Sequence, residues 1–311
     1  MNDDRFKLEK KSFSLIGALL AVLAFLVVIC CMNEFGHQRP TSQASKERGT
    51  ETVINSPSEA DVTITPELLS EHTVKEACSL KDLTLNGDDL KAITANTNLR
   101  GLKLAGCKFH GPFIPKQSHS SLERISIANS DLDGPLLDYF KQVSSLRALE
   151  LFTCALQPHS LDSLSDTHIV WLQLRNSREL SGDNSFTAAD MASIAKIQSL
   201  KHLELERSRL KPDAVQSLKL SAAQVVNLNH CDLTDSDLVA LAGMRNVRYI
   251  DVSYNPKITY KGIEHLLRAP GIKQIKYDVW LDHLTEADKE RLDPLRYNVP
   301  RSFYNDGNVR F

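Results

Sequence analysis

The sequence predicts an α/β repeat solenoid, a curved parallel sheet with helices outside it, preceded by one N-terminal transmembrane helix. Three observations carry that expectation. An apolar pattern, L-x-x-L-x-L, recurs nine times along the chain. Aliphatic side chains dominate the apolar fraction, since 42% of the 311 residues are hydrophobic and only 6% aromatic. Near the N-terminus stands one long run without a charged residue.

The pattern begins at Leu80-Leu83-Leu85 and continues through Leu99-Leu102-Leu104, Leu122-Ile125-Ile127, Leu146-Leu149-Leu151 and Ile169-Leu172-Leu174. Leu200-Leu203-Leu205, Ala223-Val226-Leu228, Val247-Ile250-Val252 and a degenerate Ile272-Ile275-Tyr277 complete it. First positions are 19, 23, 24, 23, 31, 23, 24 and 25 residues apart. Most of these intervals fall within the roughly 20–29 residues of a leucine-rich repeat. The long interval marks an insertion at 178–185, RELSGDNS. The last three residues of each pattern read as a short strand with alternate side chains inward. The return segments at 88–95, 135–143, 188–197, 235–243 and 260–268 have helical character. One repeat cannot bury its leucines alone; stacking joins them into a continuous core and bends the stack.

Residues 13–32, FSLIGALLAVLAFLVVICCM, carry no charge. Twenty residues at 1.5 Å rise span roughly 30 Å, the hydrocarbon thickness of a bilayer. The run is longer than the apolar stretch of a cleaved signal and lacks a small-x-small site. Arg5, Lys7, Lys10 and Lys11 precede it, and only Arg39 and Lys46 follow closely. This bias puts residues 1–12 in the cytoplasm and the repeats outside it. Residues 33–64 are polar and aperiodic and read as a disordered stalk. Thr65-Pro66-Glu67 reads as a helix start opening an N-terminal cap at 65–79. Repeats then occupy 80–283. Residues 284–311 read as a capping helix, begun at Thr285, and a tail.

Cys107, Cys154 and Cys231 each stand three residues after a strand's last apolar position, as do Asn255, Ser130 and Ser208. That register makes them buried turn residues rather than reactive or metal-binding thiols. Cys78 falls outside the register. Around Cys231-Asp-Leu-Thr-Asp-Ser-Asp-Leu238 and Asn255-Pro-Lys-Ile-Thr-Tyr-Lys-Gly-Ile263, residues 80–280 resemble the cysteine-containing leucine-rich-repeat subtype. That subtype is known from F-box substrate adaptors and bacterial surface or secreted proteins. Asp237 stands where the family has Gly, and no Asp follows Thr259. The resemblance implies a binding module, and it leaves a ubiquitin-ligase adaptor or a structural envelope protein as alternatives.

A formal charge of −2 gives no reason to expect nucleic acid. The ten histidines are scattered singly without metal spacing, and no nucleophile motif or phosphate loop is present. No enzyme, cofactor or metal is therefore expected. The expected partner is a protein or glycan held on the concave sheet. The positions flanking the inner leucines nominate Phe152, Trp171, Arg175, His202, Glu204, Glu206, Tyr249 and Asp251. Phe152 and Trp171, from adjacent strands, are expected to touch. The corresponding positions of earlier repeats, Gly101, Ala105, Ser126 and Ala128, are small.

Overall fold

The computed structural model describes residues 51–55, 77–113, 120–179 and 185–277. The chain forms two compact units, residues 1–48 and 49–311, and every described residue belongs to the second. The expected transmembrane helix at 13–32, the cap residues 65–76 and the C-terminal segment 284–311 lie outside the described residues. Among the described residues no helix is long and apolar enough to cross a membrane.

Ten strands form one sheet in sequence order, every neighbouring pair parallel. They are β1 (Glu51–Asn55), β2 (Ala77–Lys81), β3 (Gly101–Ala105), β4 (Arg124–Ala128) and β5 (Ala148–Phe152). The series continues through β6 (Trp171–Arg175), β7 (His202–Glu204), β8 (Val225–Asn227), β9 (Tyr249–Asp251) and β10 (Gln274–Lys276). Alternation decides which face is core. Leu102, Ile125, Leu149 and Leu172 stand opposite one another in register and are fully buried. Helices return over that same face: α1 (Gly87–Ala95), α2 (Gly134–Lys141), α3 (Ala188–Ala195), α4 (Ala214–Ser217), α5 (Asp235–Ala242) and α6 (Tyr260–Leu267). Leu90, Leu136, Met191, Leu238 and Ile263 from these helices share one core with the strand leucines. Five helices lie where the apolar spacing put them, to within two residues at either end. The fourth repeat instead returns through a 3₁₀ turn at Ser160–Leu164.

Helix starts follow local chemistry. Asn86, Thr187 and Thr234 each close a capping box with an aspartate three residues on, Asp89, Asp190 and Asp237. In the second of the family-like segments, Gly262 of α6 faces α5. A Cβ there would lie 2.3 Å from Asp235 Oδ1 and 3.0 Å from Leu238 Cδ1. Asp235 needs that space, because it accepts from the Thr259 N–H at 2.7 Å and from the Thr259 hydroxyl at 2.6 Å.

Two expectations are corrected at the N-terminal edge. The first repeat does not use Leu83-Leu85 as its sheet strand. Cys78 and Leu80 pair with Leu102 and Leu104, so the sheet strand starts at Ala77, inside the segment assigned to a helical cap. The interval from Cys78 to Leu102 is 24 residues, which removes the anomalous 19. A cysteine at a leucine position hid the register. Cys78 is thus an inward strand residue, fully buried. Within the expected stalk, Glu51–Asn55 forms β1 and pairs with β2. Its TVI core is β-branched, which favours the pleated conformation at an otherwise open edge.

Strand exits repeat one geometry. Asp82, Gly106, Asn129, Thr153, Asn176, Arg207, His230 and Tyr254 occupy equivalent places, all with φ between 50° and 63°. Left-handed backbone is unfavourable for the seven that are not glycine. Bonding into the next repeat offsets this: the N–H groups of Gly106, Asn129, Thr153, Asn176 and Arg207 donate to carbonyls of the following repeat at 2.8–3.0 Å. The next residue is the buried ladder position. The Cys154 thiol donates to the Ile127 carbonyl at 3.4 Å, Cys231 to Leu205 at 2.9 Å, and Ser177 to Leu151 at 3.0 Å. Asn255 does the same work with its amide, donating to Leu228 at 2.9 Å. Burial pushes the Cys154 thiol up to about 11 and the Cys231 thiol up to about 12. Cys107, Cys154 and Cys231 are free thiols.

Candidate functional site

On the face opposite the leucines, the parallel register sorts side chains into three files running across the strands. Neighbours within a file are one strand spacing apart, about 4.8 Å. In the first file Trp171 lies opposite His202, then come Val225 and Tyr249. The Trp171 and His202 rings stack, with centroids 4.9 Å apart and planes 14° from parallel. The central file is polar: Glu150, Gln173, Glu204, Asn227, Asp251 and Lys276 stand side by side. The third file carries Ala128, Phe152 and Arg175, with Glu206 just beyond β7.

All eight nominated residues therefore lie on one face, but not in the arrangement expected. Phe152 and Trp171 do not meet. Trp171 is opposite Ala148, and Phe152 is opposite Arg175. Four residues of strand separate Ala148 from Phe152, roughly 13 Å at 3.3 Å per residue. Adjacent strands brought the two aromatics to neighbouring strands, and register put them at opposite ends. Exposure also departs from the expectation. Tyr249, Glu204 and Asp251 are buried, at 9%, 7% and 4% exposure. Trp171, His202, Phe152 and Glu206 are half-buried, and Arg175 is exposed.

Charge on this face is paired except at its centre. Arg175 Nη2 is 3.3 Å from Glu206 Oε1, and Lys276 Nζ is 2.9 Å from Asp251 Oδ2. Arg124 Nε is 3.6 Å from Glu150 Oε1, and burial lowers that guanidinium's pKa. Glu204 instead accepts from a neutral group, the Gln173 amide, at 2.9 Å. Burial, then repulsion from Glu206 and Glu150, raises the Glu204 carboxyl from 4.5 to about 7; Arg175 opposes the shift and Asp251 adds to it. Near neutral pH this carboxyl is part protonated. An ammonium or guanidinium placed against it would favour ionisation and release the proton.

Arg124 and Lys276 belong to the same face although neither is among the nominated residues. Arg124 sits in the file position of Trp171, and Lys276 belongs to the degenerate ninth repeat, so the positional rule already covered both. At the strand exits His230 and Tyr254 stack at 4.6 Å with Tyr254 56% exposed. Their proximity depends on the left-handed column, which apolar spacing does not signal. Among the described residues no group of three or more His, Cys, Asp or Glu side chains is placed to hold a metal.

Comparison with known proteins bears on the fold. No curated protein matches the sequence. An internalin from Listeria monocytogenes has a similar structure, at 16% identity and a TM-score of 0.47, over 73% of this chain and 61% of that one. The Leucine Rich repeat family matches residues 224–242 and 243–267. The first match contains β8 and α5 and the second β9 and α6, so each coincides with one turn of the solenoid, and this stretch is a pair of leucine-rich repeats.

Proposed function

We propose that this is a non-enzymatic binding protein, anchored in a membrane by residues 13–32, that captures a protein ligand on its concave sheet. One observation carries the reading. The register concentrates a Trp171–His202 stack, Tyr249 and the underpaired Glu204 on strands β6 to β9. Aromatic anchors beside desolvated charge are the usual makings of an interface hot spot. Three to four strands away, the same face offers Ala77, Gly101 and Ala105, which anchor little. The chemistry of Glu204 favours a lysine or arginine of the ligand at the centre.

The test uses the full chain as bait in its own membrane extract. Trp171→Ala combined with His202→Ala should lose the captured protein while melting within a few degrees of the unsubstituted chain. Retained capture by a stable double variant would move the ligand off this face. Protease digestion of sealed membranes should remove residues 49–311 from outside and spare the N-terminus; protection of the repeats would reverse the orientation.

A further inference from the structure

A second recess lies at the edge of the solenoid, away from the concave face. It is a cleft of about 460 Å³ where four repeats leave the sheet. One wall is the left-handed column, Asn129, Thr153, Asn176 and Arg207. The other is the set of residues two places further on, Asp131, Ala155, Arg178 and Arg209. Register explains why the cleft opens here. Asp131 and Arg178 both pair with Ala155, on either side of it. Other repeats put Lys108 or Asp232 at this position, whereas Ala155 has only a methyl and leaves a gap.

The lining is cationic and donor-rich. Three guanidinium groups face one carboxylate, Asp131, among the lining residues. Arg207 is partly engaged, its Nε 3.7 Å from Glu206. Asn176 donates to the Thr153 hydroxyl at 3.3 Å, which fixes one wall. The only apolar side chains among the lining residues are small, Cys154 and Ala155. A lipid tail would find no large apolar side chain to pack on. A hydroxyl-rich ligand carrying an oxyanion finds planar guanidinium forks for the anion and amides for the hydroxyls.

We propose that this cleft binds a sulfated or phosphorylated sugar, with Arg178 and Arg209 holding the oxyanion and Asn129 and Asn176 holding sugar hydroxyls. Its volume lies within the ~300–1,000 Å³ typical of small-ligand sites. The site is independent of the concave-face ligand, and either can fail without the other.

Calorimetric titration of the full chain in detergent with a trisulfated heparin disaccharide tests it, beside inorganic sulfate and vesicles containing 20% anionic lipid as probes. The unsubstituted chain should bind the disaccharide more tightly than sulfate. Arg178→Ala with Arg209→Ala should weaken it at least tenfold, and Arg178→Lys with Arg209→Lys should restore it only in part. Arg245→Ala with Lys273→Ala, exposed charges elsewhere, should leave binding unchanged. Equal loss in that control would reduce the effect to general charge and overturn the proposal. So would absence of disaccharide binding, sulfate binding as tight as the disaccharide, or vesicle binding that the Arg178/Arg209 variant abolishes.

Discussion

Replacing Glu204 by Gln should stabilise the protein, and the gain should depend on pH in a defined direction. Glu204 is 7% exposed and accepts one hydrogen bond, from Gln173. A glutamine can keep that bond through its own carbonyl oxygen. The carboxyl's pKa is 4.5 unperturbed and about 7 in the fold. A raised carboxyl means the native state holds a proton that the unfolded chain has released. Its stabilising contribution is therefore complete below 4.5 and is lost as pH climbs through 7. Above about pH 8, ionising Glu204 costs the native state roughly 3 kcal/mol more than it costs the unfolded chain. For a domain of this size that is on the order of 6–12 °C in melting temperature. The assay is thermal or urea unfolding of the parent and Glu204→Gln between pH 4.5 and 8.5. The two should nearly coincide at the acid end, diverge progressively between about pH 4.5 and 7, and keep a steady gap above that, with the variant more stable. A constant difference across the range, or a variant less stable at pH 8.5, would refute the account of the central file.

Other predictions follow from the ladder, the helix contact and the sheet edge. Cys107, Cys154 and Cys231 should resist iodoacetamide at pH 8 in the native state and react on unfolding, because burial raises each thiol's pKa; rapid native alkylation counted by mass spectrometry would contradict their placement. Gly262→Ala should cost about 1–3 kcal/mol by urea unfolding, since its Cβ displaces Asp235 from Thr259; a neutral outcome would mean that α5 and α6 are not so close. A chain beginning at Gly49 should melt higher than one beginning at residue 60, which lacks β1 and leaves one side of β2 unpaired. Equal melting temperatures would show that β1 adds nothing to the sheet.

Much of the solenoid was legible because its signal is periodic. Leucines at fixed intervals mark eight of the ten sheet strands, and helical character marks five helices. The ladder of Cys107, Cys154 and Cys231 emerges from position alone, and each thiol does donate to a backbone carbonyl of the preceding repeat. What failed was local substitution within the period. Cys78 in a leucine position shifts the first repeat by five residues, and an edge strand with no repeat of its own reads as stalk. The concave face was legible as a set of residues but not as a geometry. Inward–outward alternation tells which side chains share a face; only pairing register tells that Trp171 meets His202 and not Phe152. Glu204's burial was invisible for a related reason, since its surroundings, such as the Gln173 amide that donates to it, come from other strands.

The central claim is that the ligand lies on the concave face across β6 to β9. Site-specific photo-crosslinking tests it most directly, with a benzophenone amino acid at Asn227 in the central file, or at Val239 on α5, which is 50% exposed. In intact cells the probe at 227 should give a discrete higher-mass adduct that Trp171→Ala with His202→Ala abolishes, and the probe at 239 should give none. An adduct from 239 alone would place the ligand on the helical side and contradict the account.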